Sequence, residues 1–288
     1  MTYRRRSSSL HAAAAGAALA WCAALALAAI VESSPVVLGA LLLTVLGAGA
    51  LAGVWHDLRR AFWLALFLAL MICLVNALVS RSGLTVIWRF GDLPILGQTN
   101  VTLEATVYGA VSGIRAATLV LLGALYSLAV DPDQVLRLFR RWSFRSALSA
   151  TIATRMVPVL IRDSKRLADA QRCRPGAAPG RFQLMRATTS GVLDRALDVA
   201  AALEVRGYAA AVRPPSGQKR AWSRHDIAFS AAAVGVVVIA VAARIAGWSA
   251  FKAYPVLRAP AGAREIAVAL GLALVALAPF ADRRGVRV

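Results

Sequence analysis

The sequence predicts an all-α integral membrane protein of about six transmembrane helices, with a pair of long cytoplasmic helices inserted before the last two spans. Three observations carry that prediction. First, 59% of the 288 residues are hydrophobic, only 16% are charged, and the mean hydropathy is +0.65; a soluble domain of this length carries about 25% charged residues. Second, the apolar residues fall in blocks of about 20, the length a helix needs to cross a bilayer. Third, the 33 Lys and Arg against 14 Asp and Glu give a formal charge of +19, and the basic residues are concentrated between apolar blocks as the positive-inside rule requires.

The blocks can be taken in order. The charged start MTYRRRSSSLH precedes a first span, Leu10 to Val31. It is read as retained, since no clear cleavage site follows and further spans do. Glu32 to Pro35 form a turn, Val36 to Val54 a second span, His56 to Arg60 an inside loop, and Ala61 to Ser80 a third span. Arg81 to Leu103 is a mixed, partly interfacial segment with turn signals at Gly91-Asp92, Pro94 and Gly97. A fourth span runs from Thr106 to Val130, a fifth from Asp226 to Gly247 and a sixth from Glu265 to Phe280. The chain is thus organised as residues 1–130 with four spans, 131–224 as a polar cytoplasmic segment, and 225–288 with two spans and a short tail. An even number of spans with both termini inside places Arg4 to Arg6, Arg59, Arg60, Arg283, Arg284 and Arg287 on the cytoplasmic side.

The polar segment reads as helical. Asp131 is a candidate N-cap with Pro132 at the first helical position, opening a short amphipathic helix, DPDQVLRLFRRW, suited to a membrane interface. A longer helix from about Arg145 to Arg172 contains Pro158, which should kink it. Pro175, Gly176, Pro179 and Gly180 break the pattern, and a second long helix runs from about Phe182 to Tyr208. Between the spans, Gly16, Gly39, Gly47, Gly49 and Gly53 suit close helix packing. Arg115 is a costly charge within the fourth span, either snorkelling or neutralised by Glu104.

Several chemistries find no support. Cys22, Cys73 and Cys173 lack metal or disulfide spacing, and His11, His56 and His225 are isolated. No aromatic and basic recognition motif points to nucleic acid. There is no phosphate-binding GxxxxGK[ST] motif. An intramembrane enzyme would need a polar constellation at membrane depth, and a self-contained secondary carrier would need inverted repeats with polar midplane residues; neither pattern is evident.

What stands out is a repeated helix ending. The first long helix ends Ala170-Gln171-Arg172-Cys173-Arg174-Pro175-Gly176, and the second Ala202-Leu203-Glu204-Val205-Arg206-Gly207-Tyr208. Arg174 and Arg206 stand 32 positions apart, each beside a helix-stopping residue. An arginine near a helix C-terminus also answers the macrodipole, and a glycine after it is an ordinary stop. Two such endings in one cytoplasmic segment point further, to paired recognition of carboxylates by planar guanidinium groups.

These two motifs resemble those of the transmembrane T component of energy-coupling factor transporters, the CbiQ/EcfT family, which carries AQxxRG and AxExRGY at the ends of two cytoplasmic coupling helices. ALEVRGY matches the second closely. AQRCRPG matches the first with Pro175 in place of glycine, so that Arg172 and Arg174 both compete for the docking role; alignment on Ala170-Gln171 selects Arg174. Arg155-Met156-Val157-Pro158 resembles the family's Arg-x-x-Pro. The resemblance covers about Leu103 to Tyr208. It implies a non-catalytic subunit of a prokaryotic cell-membrane importer, with no cofactor or metal of its own. Cys173, Arg174, Pro175, Val205, Arg206 and Gly207 would dock on two ABC-type ATPase subunits, or on one fused ATPase chain. Ala170, Gln171, Arg172, Glu204, Tyr208, Arg155 and Pro158 would support them. A small membrane S component would bind the vitamin or transition-metal ion that is carried.

Overall fold

A computed structural model describes residues 6, 8–79, 85–93, 97–139, 144–173, 181–205, 222–251 and 262–282. The described chain is helical throughout apart from one two-stranded ribbon. Its helices are α1 (Ser9–Ala12), α2 (Ala15–Val31), α3 (Pro35–Leu51), α4 (Trp55–Val79), α5 (Leu103–Ala129), α6 (Pro132–Phe139), α7 (Phe144–Arg172), α8 (Arg181–Val205), α9 (Arg224–Ile245) and α10 (Ala263–Leu277), the last followed by a 3-10 turn, Ala278–Phe280. Four stretches, Trp55–Val79, Leu103–Ala129, Arg224–Ile245 and Ala263–Phe280, are long and apolar enough to cross a membrane. Ala15–Val31 and Pro35–Leu51 are equally apolar but 17 residues each, about 25 Å at 1.5 Å per residue. The protein is an all-α membrane protein.

The chain divides into two compact units, one of residues 1–135 with 222–288 and one of residues 136–221. In the first, α2 packs on α9, α10 on α3, and α4 on α5. Its centre is aromatic. Trp21 is fully buried, its indole N–H donates to the Ala276 carbonyl at 3.1 Å, and its ring meets Phe229 and Phe280 edge to face at 5.7 and 5.8 Å. Burying the ring while satisfying the indole N–H is what allows a tryptophan to sit so deep. Around this cluster the packing surfaces are alanine-rich, with Ala18, Ala28, Ala29, Ala233 and Ala240 all buried.

The closest approach is between α4 and α5. A Cβ on Gly113 would stand 2.7 Å from the Ala69 carbonyl oxygen, and one on Gly109 would stand 3.0 Å from the Cys73 Cα. The two glycines are four apart on α5, as Ala69 and Cys73 are on α4, so bare backbone lies against backbone over a full turn. The opposite face of α4 carries exposed Trp63, Leu64, Phe67, Leu70 and Leu74, a surface suited to lipid tails. Among the glycines singled out from sequence, Gly49 lies against Leu58, whereas Gly39 has nothing close. Gly53 adopts φ +72° in the α3–α4 turn, the left-handed region that glycine tolerates best.

Three local features differ from expectation. The first span is interrupted: α1 ends at Ala12, Ala13 and Ala14 are extended, and α2 starts afresh. The cause is tertiary, because the Ala14 N–H donates to the Asp226 carboxylate, which also closes a capping box with Ser223 at the start of α9. Next, residues 56–60, expected as a loop, form the first turns of α4. Asp57 there accepts from the Arg6 guanidinium at 3.0 Å, and Arg6 also donates to the Gly53 carbonyl. The third is the ribbon, β1 (Val86–Leu93) paired antiparallel with β2 (Gly97–Thr102). The aromatic and β-branched residues of VIWRF and the Thr-Val-Thr character of its partner suit strands. Glu104 fixes the root of the ribbon by accepting the Thr85 N–H with both oxygens, at 3.2 and 3.3 Å. The Thr102 hydroxyl caps α5 by accepting from Ala105 N–H.

Arg115 is settled differently from either alternative. Its Nε donates to the Ala29 carbonyl at 3.1 Å and its Nη2 to the Glu32 carbonyl at 2.8 Å. It therefore closes the C-terminal end of α2, where carbonyls lack helical partners and the macrodipole favours a cation. Glu104 lies 11 residues away on the same helix, about 16 Å along the axis, too far for direct pairing with Arg115.

Candidate functional site

The polar unit contains the two long helices that the arginine motifs end. Just before it in the chain, at the end of the first unit's N-terminal part, Asp131 accepts the Asp133 N–H on its side chain at 3.0 Å and the Gln134 N–H on its carbonyl at 3.0 Å, the N-cap geometry expected of an Asp-Pro-Asp-Gln start. The helix so opened, α6, lies within the short amphipathic stretch expected there. The next helix, α7, covers 29 residues and continues through Pro158. Proline removes one helical N–H there, and the Pro158 carbonyl is additionally engaged by the Arg162 Nε at 3.3 Å. Then α8 covers 25 residues.

One side-chain pair ties α7 to α8. Arg195 donates to the Asp163 carboxylate. This hydrogen bond holds Asp163 below the usual carboxylate range, and the positive charges of Arg195, Arg166 and Arg162 add to it. Both partners are partly open to solvent, with side-chain exposures of 41% and 39%. The pair was not foreseen, because the carboxylate that Arg195 meets is on the neighbouring helix. Its signal in the sequence is faint, an arginine and an aspartate 32 positions apart, each one turn or more inside an amphipathic helix.

The predicted site residues divide by position. Arg155 and Pro158 are exposed on α7. At its end, Ala170, Arg172 and Cys173 are exposed, Gln171 lies within the last turn, and Arg172 reaches Asp169 at 3.5 Å on its own helix. At the end of α8, Glu204 is exposed and Val205 is 89% exposed. Arg174, Pro175, Arg206, Gly207 and Tyr208 lie outside the described residues. What can be seen, then, is two helices joined by an ion pair, each running out to its motif with open side chains.

Among the described residues, no group of three or more His, Cys, Asp or Glu is placed to hold a metal ion. A concavity of about 520 Å³ lies between α3 and α10 and is lined by Pro35, Gly39, Leu43, Ala269, Ala273 and other apolar residues. Its one hydroxyl, on Thr44, is turned back to the Ala40 carbonyl at 2.7 Å.

Comparison with known proteins bears on this arrangement. The sequence is 25% identical over 206 residues to the energy-coupling factor transporter transmembrane protein EcfT of Leuconostoc gelidum subsp. gasicomitatum, an alignment spanning 64% of this chain and 72% of that one. The family model of CbiQ, described as cobalt transport protein, matches residues 6–216, from the Arg6 contact through the spans α2 to α5 and past both arginine motifs. By that match, over most of its length, the chain belongs to the CbiQ family of cobalt transport proteins.

Proposed function

We propose that this protein is the transmembrane coupling subunit of an energy-coupling factor importer in the cytoplasmic membrane of a prokaryote. The observation that carries the reading is the pair α7 and α8: two long helices, joined through Asp163 and Arg195, whose ends lead directly into AQRCRPG and ALEVRGY. The relative named as an energy-coupling factor transporter component supports it.

In this mechanism Arg174 and Arg206 dock on acidic positions of two ABC-type ATPase subunits or of one fused chain. Cys173, Pro175, Val205 and Gly207 shape the contact, and Ala170, Gln171, Arg172, Glu204 and Tyr208 support it. The engagement of Arg172 with Asp169 on its own helix supports Arg174 as the docking arginine of the first motif. ATP-driven closure of the ATPases shifts the ends of α7 and α8 together, because the pair behaves as one lever where Arg195 holds Asp163. The motion passes to a small membrane S component, which releases a vitamin or transition-metal ion inward. The chain itself performs no catalysis, and substrate choice belongs to the S component. Both termini lie on the cytoplasmic side, an orientation supported by Arg59 and Arg60 in the first turns of α4 and by the basic tail.

The test is association. Arg174→Glu and Arg206→Glu, singly and together, should lower co-purification of the ATPases at least tenfold while membrane insertion stays at wild-type yield. Recovery of both ATPases at wild-type yield with the double variant would overturn the docking model.

A further inference from the structure

Helices α3 and α10 run side by side in one direction and part toward their N-terminal ends. At Gly47 they touch, since a Cβ there would meet the Leu277 side chain at 4.0 Å. Two turns earlier they do not, because a Cβ on Gly39 would find nothing within 4 Å. Between them lies the concavity of about 520 Å³, which reaches from Pro35 and Ile266 at one end to Leu277 at the other. Gly39, Ala269 and Ala273 keep it deep, and the exposed side chains of Leu43 and Leu270 flank it. The Thr44 hydroxyl is spent on the Ala40 carbonyl, so the side chains of the groove favour an apolar occupant.

The dimensions decide what kind of apolar occupant. Pro35 to Thr44 on α3 and Ile266 to Leu277 on α10 extend about 14 and 16 Å at 1.5 Å per residue. The hydrocarbon core of a bilayer is about 30 Å thick, so one leaflet contributes about 15 Å. The groove opens where α3 leaves the polar turn at Glu32 to Ser34, and it closes at Leu277, one leaflet deep. A membrane-spanning helix would continue through both leaflets. At 10–12 Å across it would also need about 1,200 Å³ over this length, more than twice the space present. A single hydrocarbon chain entering from the membrane surface is slender enough and ends at the right depth. An apolar gap left unfilled forfeits the dispersion contacts of its whole lining, and in a bilayer the chains that can restore them are at hand.

We infer that the groove between α3 and α10 is a binding site for one lipid acyl chain, taken from the leaflet that meets the α2–α3 turn. The chain completes the packing between two helices that touch directly only near Gly47 and Leu277. The site is distinct from the arginine motifs, and its ligand belongs to the membrane.

The experiment places the full chain in nanodiscs of a single phosphatidylcholine and releases it for native mass spectrometry. One phosphatidylcholine per chain should survive activation that strips the surrounding lipid. Gly39→Phe should lower that adduct about tenfold, because the ring takes up the space of the chain, and the open surroundings of Gly39 leave room for it. Ala273→Leu, made separately, should lower it too, and serves if the phenylalanine variant fails to fold. Gly271→Phe, at a position equally open but outside the groove, should leave the adduct intact. The absence of a retained lipid in the wild type would overturn the inference, as would retention unchanged in both groove variants. A photo-crosslinking residue at Leu43 in native membranes should yield a lipid adduct; an adduct to a protein in its place would make the occupant a partner helix and overturn it as well.

Discussion

Two helix pairs in this protein are joined in opposite ways. Between α4 and α5, Gly109 and Gly113 let backbone lie on backbone, so closely that any side chain would strike Ala69 or Cys73. Between α7 and α8, the described junction is an ion pair of partly exposed side chains, Asp163 with Arg195. The difference follows from solvent. In a bilayer there is no hydrophobic drive for helices to associate, so close fit and dispersion must do it. In water, long amphipathic helices can remain paired with a looser seam, and charged groups fix their register. The first pair is built to keep one geometry. The second is pinned at one described side-chain contact, Asp163 with Arg195.

The comparison can be broken most severely at Gly113. A Cβ there would stand 2.7 Å from a backbone oxygen that has no freedom to move aside, so Gly113→Leu should cost about 3 kcal/mol, at the upper end for overpacking, and separate α4 from α5. Denaturation midpoints in detergent and disulfide trapping between the two helices would register it; a wild-type midpoint would contradict the close fit. Next comes Arg115→Leu, which leaves the Ala29 and Glu32 carbonyls without their donor. About 2 kcal/mol is expected from such unsatisfied groups, read as a lower midpoint with normal insertion, and Arg115→Lys should recover only part of it.

The polar pair should respond in another currency. Asp163→Asn should leave the midpoint unchanged but broaden the distance distribution between spin labels placed on exposed positions of α7 and α8. The exchange Asp163→Arg with Arg195→Asp should narrow it again. If the single variant leaves the distribution as sharp as in the wild type, the pair does not set the crossing of the helices. The smallest effect is the pH response of that distance. Asp163 is held below its ordinary value by the hydrogen bond from Arg195. The pair's contribution is therefore fully present above the ordinary carboxylate pKa, about 3.9, and is lost as pH falls through the lower folded value. No change is expected between pH 7 and pH 5, and loosening only below about pH 4. The Arg195→Gln variant should show no such acid step.

Much of the membrane architecture was legible because it depends on composition alone. Runs of Ala, Leu and Val near Trp21, Leu41 and Val236 must be helices in lipid, whatever they pack against. The Asp131 cap and the limits of α7 were legible for a similar reason, since they are set by residues within a few positions. What escaped depends on contacts far along the chain. Nothing in a stretch of alanines marks Ala13 and Ala14 as a break; Asp226 does. Gly109 and Gly113 stood in plain view as a Gly-x-x-x-Gly pair, but only the position of Ala69 distinguishes them from Gly39, which packs against nothing close. The ribbon was hidden because Pro94 and Gly97 announce a turn without saying what flanks it. Of the candidate site, the helices that carry it follow from periodicity. Asp163 and Arg195 do not, because two surface charges on an amphipathic helix look alike whether they face water or a neighbour.

The carboxylate of Asp226 has a consequence for biogenesis. It completes the start of α9 and, across 212 positions, the start of α2. A ribosome adding about 5–20 residues per second needs roughly 10–40 s to reach Asp226 after Ala14 has emerged. For that interval the first span sits in the bilayer with its opening N–H group lacking its final acceptor, and the correct kink between α1 and α2 cannot yet be held. The N-terminal span is thus the first to be made and among the last to be finished. Assembly of the bundle therefore waits for α9, which completes the start of α2, and then for α10 and the turn after it, which supply the Ala276 carbonyl and Phe280 to Trp21.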